Sequence, residues 1–401
     1  MFNSRPDRLT LYTKSSKYTD MISHFRRRET VMHRRLVSIA LLVLFLFVIV
    51  FAPACEPLVT QFDDVEAIEI TRADQLTPSP QSADSIKIMT WNIRFGIGRI
   101  PWFGDSCGDR VIASESEVTS ALRAIVARIN DIKPDILILQ EVDVKSKRSA
   151  YIDQLRWILN NTHLNYAAFA PTWKSQFVPS DGLGRIETGN ATLSRWNILS
   201  AERIQLPLRG DQDALTRYFY LRYAVLKTRI DIPHSPNFHL LNVHLTAFAT
   251  DDTKRRQVDV LHGEISRLAT AGYPLIVGGD FNLLPPTSDS TDFCFEDICP
   301  GESFHGPGDN PRHKEGSNYT PEIGWMQVFY DTLKPEIPLE RYALNQRRYF
   351  THHTRPDVFW DRKLDYLFTN REWIPNSDST YQNGISLSDH AAVSAYWRVA
   401  R

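Results

Sequence analysis

Residues that can do chemistry stand at the ends of several apolar runs in this 401-residue chain. The runs IKIMTWN, DILILQE, FHLLNVH and PLIVGGDFN end on amides, carboxylates or an imidazole. The word SLSDH adds one further carboxylate and one further imidazole. The residues are Asn92, Glu141, His244, Asp280, Asn282, Asp389 and His390. Polar residues at the carboxyl ends of strands meet at one rim of an α/β sheet, where ligands bind. We therefore expect these side chains to converge in one cleft.

The chemistry of this set differs from that of its members. Taken singly, an Asn here is a turn residue, Glu141 a solvated loop carboxylate and His244 a hydrogen-bonded core histidine. Together, three carboxylates, two amides and two histidines form an oxygen-rich set that suits a hard divalent cation. Oxygen ligands without a cysteine cluster favour Mg²⁺ or Mn²⁺ over structural Zn²⁺. Such sets neutralise phosphate charge and activate water.

Short apolar runs and helical patterns alternate from residue 86 onward, which indicates an α/β domain. The predicted strands are 86–92, 135–140, 188–194, 220–230, 238–244, 274–278, 364–369 and 392–397, and the predicted helices are 116–130 and 252–268. A turn containing Pro233 and Pro236 separates two of these strands, 220–230 and 238–244. This spacing predicts an antiparallel hairpin, so a purely parallel sheet is not expected.

The N-terminal part of the chain has the composition of a targeting segment. Five arginines between positions 26 and 35 precede the apolar run 36–52, which is 17 residues long. A membrane span needs about 20 residues, so this length is marginal for one. A buried core helix is disfavoured because the run has no polar face. We predict a basic segment over 1–35 and a signal or anchor segment over 36–55. The catalytic domain would then be extracytoplasmic and membrane-associated.

Two forms of this targeting segment stay open. With Met32 as the start, the segment resembles a bacterial lipoprotein signal cleaved before Cys55. The alternative is an uncleaved N-terminal anchor whose basic flank stays cytoplasmic, and the start can be Met1 or Met32. The stretch 56–85 is rich in proline, serine and acidic residues and is predicted as a linker. The remaining chain, 86–401, is predicted as one catalytic domain.

Charge is distributed unevenly along the chain. The total of 46 Lys and Arg against 47 Asp and Glu gives a net charge of −1. Nine of the basic and three of the acidic residues lie within residues 1–54, which leaves 37 basic and 44 acidic residues after them. The net negative charge of the chain after residue 54 argues against tight, sequence-independent wrapping of nucleic acid, which needs many contacts between cationic side chains and phosphates.

Seven short words of this sequence, in order, resemble the endonuclease/exonuclease/phosphatase superfamily. They are TWNIRFG around Asn92, DILILQEVD around Glu141, GNATLSR around Asn190, LLNVHL around His244, VGGDFN around Asp280 and Asn282, KLDYLF around Asp365, and SDHAAV around Asp389 and His390. The resemblance implies a DNase I-like, four-layer α/β/β/α sandwich of two mixed sheets. It also implies divalent-metal-dependent hydrolysis of phosphoester bonds.

The same resemblance implies roles for individual residues. The implied metal ligands are Asn92, Glu141 and Asp389, the implied catalytic residues are His244, Asp280, Asn282, Asp365 and His390, and Asn190 would bind substrate. His390 would activate the attacking water or hold the scissile phosphate, and Asp365 would fix the tautomer of its ring. Asp280 and Asn282 would orient the nucleophile. His244 would stabilise charge or protonate the leaving oxygen.

The sequence is compatible with two functions. The favoured one is a membrane-tethered, Mg²⁺-dependent or Mn²⁺-dependent phosphoesterase, with nucleic acid, lipid head groups or small phosphoesters as substrate and with no protein partner implied. The other is a catalytically inactive, surface-binding member of the same fold. An inactive member is expected to have lost one of the metal-binding or catalytic residues, and this chain keeps them all.

A long stretch rich in glycine and proline, 283–325, follows VGGDFN. Its position directly after predicted catalytic residues is typical of a substrate-facing loop. Cys294 and Cys299 lie five positions apart within it. In an exported protein this spacing predicts a small disulfide loop, and two thiols are the alternative.

Overall fold

The computed structural model describes residues 37–39, 41–43, 58–82, 84–104, 107–299 and 316–399. The chain divides into two units, 1–57 and 58–401. In the first unit, residues 37–39 and 41–43 are helical, and the rest of the predicted signal or anchor segment lies outside the described residues. Within the described ranges, every helix is too short or too polar to cross a membrane.

The second unit is built from short strands and helices. Its described strands are β1 (Val65–Ala67), β2 (Ile70–Arg72), β3 (Ser85–Asn92), β4 (Ile136–Asp143), β5 (Tyr166–Val178), β6 (Gly184–Ser194), β7 (Ile198–Gln205), β8 (Ala224–Ile232), β9 (Ser235–His244), β10 (Leu275–Asp280), β11 (Lys334–Pro335), β12 (Asp365–Thr369), β13 (Ser379–Thr380) and β14 (Val393–Arg398). Its described α-helices are α1 (Glu115–Ile132), α2 (Gln154–Asn160), α3 (Ala214–Phe219), α4 (Thr253–Thr270), α5 (Gln327–Thr332) and α6 (Leu339–Leu344).

The strands form two seven-stranded mixed sheets, in the orders β13-β14-β3-β4-β6-β5-β2 and β1-β7-β8-β9-β10-β12-β11. Each sheet contains one parallel pair, β3 with β4 and β9 with β10. Helix α1 connects the first pair and α4 connects the second, as parallel neighbours require a crossover. The two parallel pairs therefore place four carboxyl strand ends where ligands commonly bind.

Alternating side chains explain why the sheets pack against each other and against helices. In β4, Ile136 and Ile138 belong to the core between the sheets, whereas Leu137 and Leu139 pack with residues of α1. This two-residue period is the geometry of a strand buried on both faces. A third core joins the other sheet to α4 and α5. The layers are helices, sheet, sheet and helices, so the predicted fold class is confirmed.

The sequence also marks where α1 begins and ends. The Ser114 side chain accepts a hydrogen bond from the Glu117 backbone N–H, and the Glu117 carboxylate accepts one from the Ser114 N–H. This capping box satisfies two otherwise unpaired donors. The helix ends at Lys133, which has a left-handed conformation, directly before Pro134.

The predicted strands and helices are present, with ends that differ by up to four residues. The predicted hairpin is confirmed as β8 paired antiparallel with β9. Two central strands, β5 and β7, were not predicted. Strand β5 contains Pro171 beside a shift in its register against β6, and the apolar residues of β7 are interrupted by Ser200 and by the adjacent charged pair Glu202 and Arg203. The apolar run that begins β5 is cut short by Pro171, and β7 has no continuous apolar run.

The prediction that 56–85 is a linker is wrong for the described residues from 58 onward. Strand β1 pairs with β7 at the edge of one sheet, and β2 pairs with β5 at the edge of the other. The Trp196 indole N–H also donates to the Pro80 carbonyl at 2.9 Å. Three-residue strands are too short to show periodicity, and edge pairing stabilises them only once both sheets have formed.

The predicted Cys294–Cys299 disulfide is also wrong. Cys299 is bonded to Cys107, 192 positions earlier, with 5.5 Å between their Cα atoms. Cys294 is buried and lies outside this disulfide. Sequence spacing reveals a cysteine's near neighbours in the chain, whereas pairing depends on Cα separation in the folded state.

Candidate active site

The two sheets contribute facing polar side chains to one rim. Asn92 ends β3 in one sheet, and Asp280 and His244 end β10 and β9 in the other. Asn92 Nδ2 donates to Glu141 Oε1 at 2.9 Å and to Asp280 Oδ2 at 3.1 Å. The Asn92 amide therefore connects carboxylates that belong to different sheets.

Glu141 reaches the rim through an irregularity in β4. Its φ is +57°, and the register of β4 against β6 shifts between Leu139 and Val142. Such a bulge redirects a side chain, and a strained φ at a non-glycine residue is typical of functional sites. The Glu141 side chain is 23% exposed. Burial raises the pKa of its carboxyl, and the negative charge of Asp389 raises it further.

Asp280 depends on a close approach of two backbones. Gly279 has φ +141°, and a Cβ there would lie 1.9 Å from the Val243 carbonyl oxygen of β9. Asp280 Oδ1 accepts from the Asn282 backbone N–H at 2.9 Å, and the Asn282 side chain donates to the Leu245 carbonyl. Burial raises the pKa of the Asp280 carboxyl, although the neighbouring histidines oppose this.

His244 lies between the acidic residues of the rim. Its Nε2 is 3.5 Å from Asp280 Oδ2 and 3.9 Å from Glu141 Oε1. The ring of Tyr223 packs edge-on against it, with 5.3 Å between ring centroids. Burial lowers the pKa of His244 despite the nearby Asp280 carboxylate. The neutral imidazole is therefore favoured.

His390 forms the expected pair with Asp365. His390 Nδ1 donates to Asp365 Oδ2 at 2.8 Å, and His390 Nε2 lies 3.5 Å from Asp280 Oδ2. Burial alone would lower the pKa of His390, but the charges of Asp365 and Asp280 outweigh it and raise the pKa to about 10. Lys363 holds the start of β12 by donating to the Asp365 carbonyl at 2.7 Å.

Asp389 approaches the same cluster from the loop before β14. Its Oδ2 lies 3.4 Å from Arg94 Nε, and its side chain is 19% exposed. Burial by itself would raise the pKa of Asp389, but the positive charge of Arg94 holds it well below its usual range. Asp389 is therefore a carboxylate at neutral pH.

Asn190 occupies a different environment. It is fully buried in β6, where its Nδ2 donates to the Ala224 carbonyl of β8 at 3.0 Å. Its Oδ1 is buried without a hydrogen-bond partner in the described part of the chain. These contacts lie between the sheets, and the substrate-binding role of Asn190 stays a prediction.

Sequence reasoning missed three residues that contact the cluster: Arg94, Lys254 and His352. His352 Nδ1 is 3.1 Å from His390 Nε2, with the ring centroids 4.5 Å apart. Buried Lys254 donates to the Asn282 carbonyl at 2.9 Å and pairs with Glu322. Arg94 stands inside TWNIRFG and was available to sequence reasoning. His352 and Lys254 lie outside the seven words, and only their contacts in the fold reveal them.

The donor chemistry of the cleft fits a divalent cation. Four carboxylates lie around two imidazoles, and they belong to Glu141, Asp280, Asp365 and Asp389. Arg94 forms an ion pair with the last of these carboxylates, Asp389. Asn92 turns its N–H groups toward the carboxylates, and its Oδ1 accepts from the Arg94 backbone N–H at 3.0 Å. In this geometry Asn92 orients the carboxylates, which supply the oxygens for a hard cation.

Two packed mixed sheets with a carboxylate and imidazole cluster at their common rim define a DNase I-like protein. The chain matches the Endonuclease/Exonuclease/phosphatase family over residues 89–390, and it belongs to this family. Members of the family are hydrolases that act on phosphoesters, generally with divalent metals. The chain is thus a member of the phosphoesterase superfamily that its sequence resembles.

The chain is similar to several solved structures. An endonuclease/exonuclease/phosphatase from Beutenbergia cavernae is 17% identical, with a TM-score of 0.50 over 79% of this chain and 72% of that one. Truncated Caenorhabditis elegans TDP2 is 15% identical, with a TM-score of 0.45 over 78% and 97%. The human Nocturnin catalytic domain, with bound sulfate, is 15% identical, with a TM-score of 0.45 over 82% and 97%. No curated protein sequence matches the chain.

Proposed function

We propose that this protein is a Mg²⁺-dependent or Mn²⁺-dependent phosphoesterase that hydrolyses its substrate by attack of water. The observation that carries the proposal is the His390–Asp365 pair, which directs His390 Nε2 to within 3.5 Å of Asp280 in the same cleft as Glu141. A held imidazole beside a carboxylate is suited to proton transfer and to binding of a phosphoryl oxygen.

Glu141 and Asp389 would hold the cation, with Asn92 orienting the Glu141 carboxylate. When bound, such a cation neutralises charge on phosphoryl oxygens and lowers the pKa of a coordinated water. The raised pKa of Glu141 supports this assignment, because it reports a buried carboxyl beside the Asp389 carboxylate, and a bound cation would stabilise both negative charges.

The remaining residues then divide the proton chemistry. The raised pKa of His390 favours the imidazolium, which suits a clamp on the scissile phosphate. Asp280 would accept the proton of the attacking water as the new P–O bond forms. His244, which is neutral, would donate an N–H toward a phosphoryl oxygen or toward the leaving oxygen as the ester P–O bond breaks. Asn282 is held by Leu245 and Lys254 beside this position.

The substrate that fits best is a small or lipid-linked phosphoester. The negative balance of the chain after residue 54 disfavours long nucleic acids, which bind through many cationic contacts. An N-terminal signal or anchor would also keep the domain close to lipid head groups. A nuclease activity is the second candidate, because the superfamily that the seven words resemble includes DNase I-like nucleases.

Export to an oxidising compartment is part of the proposal. The Cys107–Cys299 disulfide supports it, because such bonds persist outside the cytosol. Protease treatment of intact cells should digest the domain while leaving cytosolic proteins intact. Protection of the domain until the membrane is opened would contradict export.

The test is a substrate panel with the 401-residue chain and either Mg²⁺, Mn²⁺ or a chelator. The panel holds plasmid DNA, RNA, sphingomyelin, phosphoinositides and a chromogenic phosphodiester. Hydrolysis that requires the cation supports the proposal, and the hydrolysed member identifies the substrate. Cation-independent hydrolysis, or tight binding of a panel member without turnover, would contradict it.

The Glu141→Gln variant tests the metal assignment. The amide keeps the shape but loses the charge, and a metal's stabilisation of the transition state amounts to several kcal/mol. Turnover should therefore fall by roughly 100-fold or more, since each 1.4 kcal/mol is about tenfold. Half-saturation should also need more Mg²⁺. Glu115→Gln, exposed at the start of α1, is the matched control and should behave as wild type. Unchanged Mg²⁺ dependence in Glu141→Gln would refute the assignment.

A further inference from the structure

We propose that the tip of the β5–β6 hairpin docks on the surface of an anionic lipid bilayer, so that the cleft opens toward the membrane. The hairpin tip comprises residues 174–187. This docking rests on the export and N-terminal attachment in the proposed function, and it adds the surface through which the domain meets lipid. The location of the tip, its exposed side chains, its charge and its closeness in sequence to the N-terminal apolar run support it.

The hairpin tip lies on the same end of the sheets as the cleft. Strand β4 pairs with β6 as far as Asp143, two positions beyond Glu141. The turn 179–183 continues past this point. Lys147, in the loop after β4, donates to the Gly182 carbonyl of that turn at 2.9 Å. The tip therefore projects from the rim on which Glu141 lies.

A small core holds the tip in place. Its buried members are Trp173, Val178, Leu183 and Ile186. Trp102, from the loop after β3, and Leu221, from the segment before β8, pack against this core. The tip is thus supported from both sheets, and a surface that is ordered before docking loses little conformational entropy when it binds.

Two large apolar side chains face solvent at the tip. Phe177 is 53% exposed and Leu58 is 48% exposed. Their segments are neighbours, because the Gln176 N–H donates to the Leu58 carbonyl at 2.8 Å. The register of β5 against β6 shifts between Ser175 and Val178, and such a bulge redirects side chains. Exposed apolar side chains beside polar ones are typical of surfaces that meet membranes.

Positive charge surrounds these apolar side chains. The residues 143–150 and 174–187 contain five basic and three acidic side chains. They are Lys145, Lys147, Arg148, Lys174 and Arg185 against Asp143, Asp181 and Glu187. This local balance of +2 contrasts with the 37 basic and 44 acidic residues of the whole chain after position 54. An anionic leaflet attracts such a basic surface and repels the rest of the domain.

The chain that precedes the tip favours a bilayer as its partner. The apolar run 36–52 ends six positions before Leu58, the first residue of the second unit. An extended chain covers at most about 3.6 Å per residue, so a run held in lipid keeps Leu58 within about 22 Å of it. A lipid-modified Cys55 would be three positions away. Tyr166, at the other end of β5, is roughly 30 Å from the level of Leu58 and lies beyond this reach.

The experiment identifies which end of the domain contacts lipid. The 401-residue chain is reconstituted into vesicles of phosphatidylcholine, alone or mixed equally with phosphatidylglycerol. A photoreactive benzophenone amino acid replaces Phe177 or, as the control, Asp231, which is exposed in β8 at the opposite end of the sheets. After illumination, mass spectrometry counts lipid adducts at each position. Adducts should form at position 177 in the mixed vesicles, several-fold more than at position 231, and high salt should reduce them.

Charge variants test the basic surface with the same readout. Lys145→Gln should weaken docking by roughly fivefold, since one cationic side chain near an anionic leaflet contributes about 1 kcal/mol. Lys133→Gln is the matched control, because Lys133 is exposed at the end of α1, away from the rim. It should give the adduct yield of the parent protein. Circular dichroism checks that each variant is folded.

Equal adduct yields at positions 177 and 231 would overturn the docking surface. Crosslinks between protein chains at position 177, in place of lipid adducts, would also overturn it by assigning the tip to contact with a second copy. A yield that depends neither on phosphatidylglycerol nor on Lys145 would do the same.

The proposed function has a separate readout, which is cation-dependent hydrolysis of the substrate panel. Hydrolysis by a protein that forms no lipid adducts at position 177 overturns the docking surface and leaves the function standing. Lipid adducts at position 177 in a protein that hydrolyses no member of the panel support the docking surface and overturn the function.

Discussion

At the scale of single residues, His390 is subject to two opposing demands. Asp365 and Asp280 favour its charged form, whereas a general base must be neutral. A nearby dication would shift its pKa down again, because like charges repel. The protonation state of His390 during turnover therefore depends on whether a cation is bound nearby. The dependence of activity on pH measures which state is active.

We predict that His390→Ala lowers turnover by roughly 10²–10⁴-fold, the usual contribution of a positioned acid or base. Asp365→Asn should cost less, because the amide oxygen can still accept the His390 Nδ1–H. If the imidazolium is the active form, wild-type activity falls as pH rises through the pKa of His390, and this alkaline limb disappears in His390→Ala. An acidic limb that disappears instead would assign His390 as the base, and near-normal turnover would remove it from the mechanism.

At the scale of elements, the approach of β9 to β10 sets the position of Asp280 relative to His244. Gly279 allows this approach, since a Cβ there would lie 1.9 Å from the Val243 carbonyl oxygen. The backbone of neither strand can move without disturbing the register that pairs Asp280 with His244. A small residue in VGGDFN therefore determines the geometry of two larger ones.

We predict that Gly279→Ala lowers the free energy of unfolding by more than about 1 kcal/mol, because Ala is strained at this φ as well as blocked by Val243. Activity should fall further than stability explains, since Asp280 moves. Gly263→Ala is the matched control, because open space surrounds Gly263 in α4. It should stabilise the protein by about 0.5–1 kcal/mol. Chemical denaturation and turnover measure both effects, and a wild-type-like Gly279→Ala would show that the approach is not required.

A second element-scale feature attaches the loop after β10 to the segment before β12. Buried Asp297 accepts two hydrogen bonds of 2.9 Å from the Arg362 guanidinium. Burial alone would raise the pKa of Asp297, but the charge and hydrogen bonds of Arg362 hold it far below its usual value. A carboxyl with a lowered pKa stabilises the folded state above its unfolded pKa of about 3.9.

We predict that this contribution is complete near neutral pH and is lost as the pH falls below about 4 toward the lowered folded pKa. Asp297→Asn should cost about 3 kcal/mol at pH 7, the lower end for a broken buried pair, because Arg362 stays buried and keeps its two hydrogen bonds to Asp361. The variant should also lose part of the acid sensitivity of the wild type. Asp357→Asn, at an exposed pair with Arg355, should change neither property. Urea titrations between pH 3 and pH 7 compare the three proteins, and parallel stability profiles would contradict the prediction.

At the scale of the whole molecule, the Cys107–Cys299 bond joins the loop after β3 to the loop after β10. These loops follow strands of different sheets, so the bond fixes the two sides of the site relative to each other. It also links segments 192 positions apart, which restricts the unfolded chain strongly.

We predict that non-reducing peptide mapping recovers a Cys107–Cys299 peptide, with Cys294 alkylated only after denaturation because it is buried. Cys107→Ser should lower the free energy of unfolding by about 2–5 kcal/mol. A Cys294–Cys299 peptide from the native protein would contradict the observed pairing and restore the one that spacing predicts.

The sequence determined the fold class, the principal strands and the set of residues at the rim. Its apolar runs are long because strands such as β4 are buried on both faces, and polar residues end them where each strand reaches the rim. Periodicity and strand ends are local properties, so they can be read before folding. The capping box of Ser114 and Glu117 at the start of α1 is likewise a local property of the sequence.

Only the tertiary structure decided which distant residues meet. The edge strands β1 and β2, the partner of Cys299, and the contact between His352 and His390 all join segments far apart in the chain. None of them leaves a periodic or spacing signal, because each is stabilised by neighbours that come together only when the two sheets pack. Contacts of this kind depend on the folded arrangement of the whole chain, and local sequence carries no record of them.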